Sequence, residues 1–257
     1  MMRSARSLVL ASLLCVPLRP AQALEEGWRA VPTRPGVQVP CLTVRDPAAE
    51  PTRMVLLFAG GLGRVGPEAL TSPAANFLVR SRALFVAPDI AAAVLDAPSD
   101  HADGMSDRFR MGPEHAEDIG RVMDFLQARF PRVTGFYLVG TSRGTLSAAC
   151  AGRQLEGRLK GIVLTSEVLF SARPLKGATV PVLLVHHRHD GCKASAYRDA
   201  QGLARDLGAP LITVDGGSPP VTGPCEPGSP HGFWGREAET VGEILRWIRG
   251  EGIRERI

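Results

Sequence analysis

Ser142 lies in Gly140-Thr-Ser142-Arg-Gly144, with the apolar run Phe136-Tyr-Leu-Val before it and Thr145-Leu-Ser-Ala-Ala after it. A strand, a tight turn and a small-residue helix in that order would lift the serine hydroxyl above a sheet. There a helix N-terminus favours developing negative charge. Glycine two residues to either side is what so sharp a turn demands. A serine hydroxyl is a poor nucleophile near neutral pH, so it needs a base in hydrogen-bond reach and the base needs an orienting acid. Downstream, Val182-Leu-Leu-Val-His186 reads as a strand running into His187-Arg-His189-Asp190-Gly-Cys192. That places Asp190 just past a strand's C-terminal end, where sites collect in open α/β sheets. Ser229-Pro230-His231-Gly232-Phe233 follows the last apolar run and precedes the last helical stretch. Together these residues fit acyl transfer, with Ser142 attacking a carbonyl carbon, His231 carrying the proton and Asp190 orienting His231.

Each assignment has a rival. Glu167, beyond the apolar run Gly161 to Leu164, and Asp215 are alternative acids. His186, His187 and His189 raise the question of a metal, but no separate carboxylate or cysteine set stands at ligand spacing, so no metal is expected. They are read as support for the acid loop, and His101 and His115 as surface or capping residues. Gly61-Leu-Gly63-Arg-Val-Gly66 formally matches G-x-G-x-x-G, with Asp89 as a ribose ligand. Pro67 and Pro73 interrupt the helix that a dinucleotide site requires, and the spacing to Asp89 is long, so no cofactor is expected.

The elements that must position these residues emerge from the hydrophobic pattern. Apolar runs Met54 to Phe58, Ala83 to Ala87, Phe136 to Val139, Gly161 to Leu164, Val182 to His186 and Leu211 to Val214 read as buried parallel strands. Helical spacing marks Glu114 to Phe130, Thr145 to Ala151, Ala194 to Leu207 and Arg236 to Arg249. The alternation predicts a doubly wound α/β fold with a mostly parallel sheet and helices on both faces. Ala91 to Pro113 and Gly216 to Pro230 are the long irregular pieces, and loops of that length are commonly functional. Substrate choice is assigned to the first of them, with Met105, Phe109 and Met111 as apolar contacts and Arg108 and Arg110 as anion contacts. Phe233, next to the histidine loop, is a further apolar candidate.

The chain has 257 residues, 44% of them hydrophobic and 22% charged, which allows a large core in one domain. A net charge of +4 carried by dispersed Arg, with no basic run interleaved with aromatics, argues against nucleic acid as a partner. Arg3 and Arg6 precede an apolar stretch from Leu8 to Leu18 and the small-x-small site Ala21-Gln22-Ala23. This is the pattern of a secretory signal peptide over residues 1–23, leaving 24–257 as a single domain. The apolar stretch falls short of the roughly 20 residues that a membrane span needs, and the product is expected to be periplasmic or secreted. In an oxidising compartment the remaining cysteines, Cys41, Cys150, Cys192 and Cys225, tend to pair. Cys192 and Cys225 sit in Gly- and Pro-rich loops and form the preferred bridge, four free thiols being the alternative.

From about Met54 to Arg249 the chain resembles the α/β-hydrolase superfamily, in the Gly140 to Gly144 turn, the Asp190 loop, the His231 loop and their order. The resemblance implies an exported serine esterase or lipase-like enzyme that cleaves a small carboxylic ester through an acyl-enzyme, with no cofactor. It implies an oxyanion hole built from the Arg143 backbone N–H and one from the loop after Phe58. There the chain has Ala59-Gly60-Gly61-Leu62 in place of the common His-Gly pattern, leaving Gly61 or Leu62 as the second donor. A Cys192–Cys225 bridge would tie the acid loop to the histidine loop. A peptidase or thioesterase on the same three residues, and a catalytically silent binding protein of the same fold, are the other readings.

Overall fold

The computed structural model describes residues 23–72, 75–168 and 170–257. The segment read as a signal peptide therefore lies, apart from Ala23, outside the described residues. The described chain begins with β1 (Glu25–Arg34), β2 (Val37–Arg45) and β3 (Arg53–Phe58). Two short helices follow, α1 (Pro67–Thr71) and α2 (Phe77–Arg80), then β4 (Ile90–Leu95). Next come α3 (Asp107–Arg110), the long α4 (Pro113–Arg129), β5 (Gly135–Thr141), α5 (Gly144–Gln154) and β6 (Leu159–Thr165). The chain closes with β7 (Val182–His187), α6 (Tyr197–Leu207), β8 (Leu211–Val214) and α7 (Glu237–Ile248).

All eight strands form one sheet in the order β1-β2-β4-β3-β5-β6-β7-β8. β1 and β2 pair antiparallel with each other, and β2 antiparallel with β4; every later pairing is parallel. Alternation along the central strands explains the layering, because neighbouring side chains leave a strand on opposite faces. Met54, Leu56, Phe58, Phe136 and Leu138 join one core with α4 and α5, whereas Val55, Leu57, Tyr137 and Val139 join the other with α2 and α7. Covered on both faces, these strands read as continuous apolar runs rather than as alternating ones.

Two departures from the sequence reading have physical causes. Ala83 to Ala87 is not a strand: Arg82–Phe85 makes a 3-10 turn that buries Phe85, and the strand is β4, seven residues on. Alanine has weak strand preference, so Ala91-Ala92-Ala93 hid β4 inside what looked like an irregular stretch. The β1–β2 hairpin carried no clear apolar run, as suits β1 at the edge of the sheet with Pro32 in it. The loop-and-Asp89 reading of a dinucleotide site also fails locally. The helix after the glycines spans only Pro67–Thr71, and Asp89 precedes β4, where it is paired with Arg53 and Arg249.

Candidate active site

Two of the three residues of the expected chemistry sit just past the end of a parallel strand, Ser142 after β5 and Asp190 after β7. Ser142 follows β5, and its backbone is left-handed at φ 52°, a conformation that costs energy in a residue with a side chain. The turn is so tight that a Cβ on Gly140 would collide with the Gly144 carbonyl, and one on Gly144 with the Phe58 carbonyl. Side chains at either position are therefore excluded, and the pentapeptide's spacing has a steric cause. The Ser142 N–H donates to the Thr165 carbonyl at 3.1 Å, which pins the strained residue to the end of β6. α5 begins just beyond, so the positive end of its dipole lies under the serine, while the Thr145 and Leu146 N–H groups already donate to the Ser142 and Arg143 carbonyls.

The loop after β3 packs against the same turn. A Cβ on Gly60 would lie 2.9 Å from that of Ser142, so only glycine lets the backbone come this close. The Gly63 N–H closes the loop on the Gly60 carbonyl at 3.0 Å. Among the described residues the N–H groups of Arg143, Gly61 and Leu62 donate to no other backbone carbonyl, and all three remain candidates for holding a negative oxygen.

His231 enters from the last long loop. Ser229 caps the 3-10 turn Pro230–Gly232, accepting the His231 N–H at 3.2 Å, while Ser166, itself left-handed at φ 43°, donates its hydroxyl to the His231 carbonyl at 2.7 Å. Arg80 reinforces the loop through the Gly232 carbonyl and Glu237. The imidazole Nδ1 lies 2.8 Å from Asp190 Oδ2. Burial raises the Asp190 carboxyl, but hydrogen bonds from His186 and His231 and from the Cys192 N–H outweigh it and hold the group at about 2. An ionised carboxylate only accepts, so the shared proton belongs to His231 Nδ1. His231 Nε2 is buried and has no hydrogen-bond partner among the described residues.

The acid loop is held from several sides. Ser195 donates its hydroxyl to Asp190 Oδ2 at 3.2 Å, and the Cys192 N–H donates to Oδ1 at 2.9 Å. His186 Nε2 lies 3.1 Å from the Ser195 carbonyl and 3.3 Å from Asp190 Oδ2. His187 binds the Gly216 carbonyl through Nε2 and receives the His189 N–H at Nδ1, and exposed His189 faces Asp215 at 3.4 Å. The three histidines thus face three different neighbours. The Cys192–Cys225 disulfide joins the acid loop to the segment carrying His231, while Cys41 and Cys150 are buried free thiols.

Several sequence candidates lie elsewhere. Glu167 is buried after β6; desolvation pushes its carboxyl up to about 7, and Oε2 has no partner among the described residues. Phe233 is fully buried and packs on Phe77 at 4.8 Å between ring centroids, so it belongs to the core rather than to a substrate surface. Met105 and Phe109 are buried with Ala97, leaving Met111 and Arg108 as the exposed members of that group. Arg110 is shut off from solvent and cannot meet an anionic substrate. His115 is no surface residue: burial drives its pKa down to about 3 and keeps it neutral. Sequence reasoning missed Ser166, Ser195 and Arg80, because a hydroxyl or guanidinium that bonds a distant loop has no local signature.

No protein-family profile matches this chain, and no curated protein does. Solved structures do match in shape. Est1E from Butyrivibrio proteoclasticus superposes with a TM-score of 0.64 at 13% identity over 87% of this chain and 98% of its own. An alpha-beta serine hydrolase homologue from Coxiella burnetii gives 0.61 at 14% identity, covering 90% and 100%. The Pyrococcus furiosus esterase Pf2001 gives 0.54 at 14% identity, covering 75% and 84%.

Proposed function

We propose that this chain, which has the α/β-hydrolase fold, is a serine hydrolase cleaving a small carboxylic ester through an acyl-enzyme. The observation that carries the reading is the state of His231: Nδ1 is committed to an ionised, buried Asp190, and Nε2 has no partner among the described residues. With the proton on Nδ1, Nε2 is the basic nitrogen that a serine nucleophile needs. The end of β6 holds both residues, since the Ser142 N–H bonds Thr165 and the next residue's hydroxyl bonds the His231 backbone.

In the first half-reaction Ser142 Oγ attacks the ester carbonyl carbon while His231 Nε2 takes its proton. The resulting oxyanion meets the Arg143 N–H, at the N-terminus of α5, and a second N–H from the Gly60–Gly63 loop. His231, now positive and paired with Asp190, gives its proton to the leaving alcohol. Water enters, loses a proton to the same nitrogen and attacks the acyl carbon, and His231 returns that proton to Ser142 Oγ as the acid leaves. Ester cleavage is preferred to peptide cleavage because, among the described residues, nothing beyond the sheet and its helices stands over the site to select peptides. The shape neighbours named for esterase activity, and the binding of ferulic acid by Est1E, favour the same substrate class. The reading includes export, with residues 1–23 removed as a signal peptide. The Cys192–Cys225 bridge suits an oxidising compartment, and none of the described helices is long and apolar enough to cross a membrane.

The test is labelling of the purified protein by a fluorophosphonate probe, read by intact mass. A single adduct on the wild type that disappears in Ser142→Ala and His231→Ala is the expected result. An unlabelled, folded wild type would overturn the reading and favour a binding protein on the same fold.

A further inference from the structure

Arg110, the last residue of α3, has a fully buried side chain, and no carboxylate pairs with it among the described residues. Its Nη1 donates to Ser147 Oγ at 3.0 Å and its Nη2 to the Gly61 carbonyl at 3.2 Å, while Nε is buried and has no partner among the described residues. Asp107, the nearby acid, is held by Arg143 at 2.8 Å, and the neighbouring His115 ring is neutral. Burial, with a smaller contribution from Arg143, lowers Arg110 to about 10, so it is a cation at neutral pH. A buried charge without an opposite partner is expensive, and an apolar residue of similar volume would pack there without that cost. Both of its acceptors belong to the candidate site: Ser147 lies in the first turn of α5, and Gly61 lies in the loop that packs on Ser142.

We propose that Arg110 is a positioning residue that orients the Gly61–Leu62 peptide so that the Leu62 N–H is the second oxyanion donor. The inference rests on the serine hydrolase reading above. In a trans peptide the carbonyl and the N–H point in opposite directions. Fastening the Gly61 oxygen inward to Arg110 therefore turns the Leu62 N–H outward, where it donates to no backbone carbonyl of the described residues. The loop is fixed at its other points as well. The Leu62 carbonyl accepts from the Met105 N–H at 2.9 Å, and a Cβ on Gly63 would collide with Met105 Cε and Arg110 Nη2. A cation on the carbonyl also polarises the peptide, which makes its N–H a stronger donor toward a negative oxygen.

Arg110→Met and Arg110→Lys in the full chain test this, with p-nitrophenyl acetate turnover, thermal unfolding and amide exchange of residues 58–63 as readouts. Arg110→Met is expected to lose about 10- to 100-fold in kcat with KM within about twofold, because one oxyanion donor is misplaced. Exchange in the 58–63 segment rises while the rest of the molecule keeps its protection, and Tm stays level or rises because an unpaired buried charge is gone. Arg110→Lys, which keeps the charge but cannot reach both acceptors, falls between, and carries the test alone should Arg110→Met not fold. Unchanged exchange in the loop, or a kcat within twofold of an active wild type, overturns the proposal. A wild type that neither labels nor turns over sinks the hydrolase reading instead, and the exchange of the loop still decides whether Arg110 holds it.

Discussion

Glu167 after β6 and Asp190 after β7 stand at neighbouring strand ends of one sheet, and both carboxyl groups are removed from solvent. Burial pushes each of them upward. Asp190 nevertheless ends at about 2 and Glu167 at about 7. The difference lies in the donors. Asp190 receives the Cys192 N–H, the Ser195 hydroxyl and the His231 ring, with His186 at 3.3 Å, whereas Glu167 Oε2 has no partner among the described residues. Hydrogen bonds to the charged form offset desolvation at one strand end and are missing at the other. In the proposed function the orienting acid must fix a histidine tautomer and steady an imidazolium, which an ionised carboxylate can do, and the proposal gives that role to Asp190 because of its donors.

The sharpest way to break this comparison is to neutralise each acid in turn. Asp190→Asn should lower kcat/KM by roughly 10³- to 10⁴-fold on any ester the wild type hydrolyses, because the amide favours the wrong tautomer. Glu167→Gln should change it by less than about threefold. A larger loss from Glu167→Gln would transfer the orienting role to the other strand end.

A second contrast is covalent. The Asp190 loop is stapled to the histidine segment across a sequence separation of 33, and the Glu167 loop has no such tie. Replacing Cys192 and Cys225 together by serine should cost roughly 3 to 4 kcal/mol in urea unfolding. A loss below 1 kcal/mol would mean that the loops hold one another without the bridge.

The smallest effect is the pH dependence of stability, and its sign differs between the two groups. Glu167, raised from 4.5 to about 7, contributes stability that is fully present below 4.5 and is lost as pH rises toward 7. Glu167→Gln should therefore gain on the wild type between pH 5 and pH 8, by on the order of 1 to 3 kcal/mol in thermal unfolding. Asp190, lowered from 3.8 to about 2, contributes stability above 3.8 that is lost as pH falls toward 2. A Glu167→Gln protein with the wild type's pH profile would show that the carboxyl is ionised in the folded state.

Much of this molecule was legible because its rules are local. The Gly140 to Gly144 turn admits only glycine at its two ends, and that steric demand is written in the residues themselves. Strands buried on both faces need continuous apolar runs, so β3, β5, β6, β7 and β8 were visible, as was α4 by its spacing. That Ser142 follows β5 and Asp190 follows β7 was visible too. What tertiary structure alone decided concerns partners far apart in the chain. Whether Asp190 or Glu167 is ionised depends on donors brought in by folding, from Ser195 to His231. Whether Phe233 meets substrate or Phe77 depends on how the last loop packs on α2. Arg110 reads in the sequence as an anion contact beside Arg108, and only its burial behind Gly61 removes it from that role. Steric limits on the backbone act between neighbours and appear in sequence. Desolvation and hydrogen-bond supply act across space and appear only when the chain is closed.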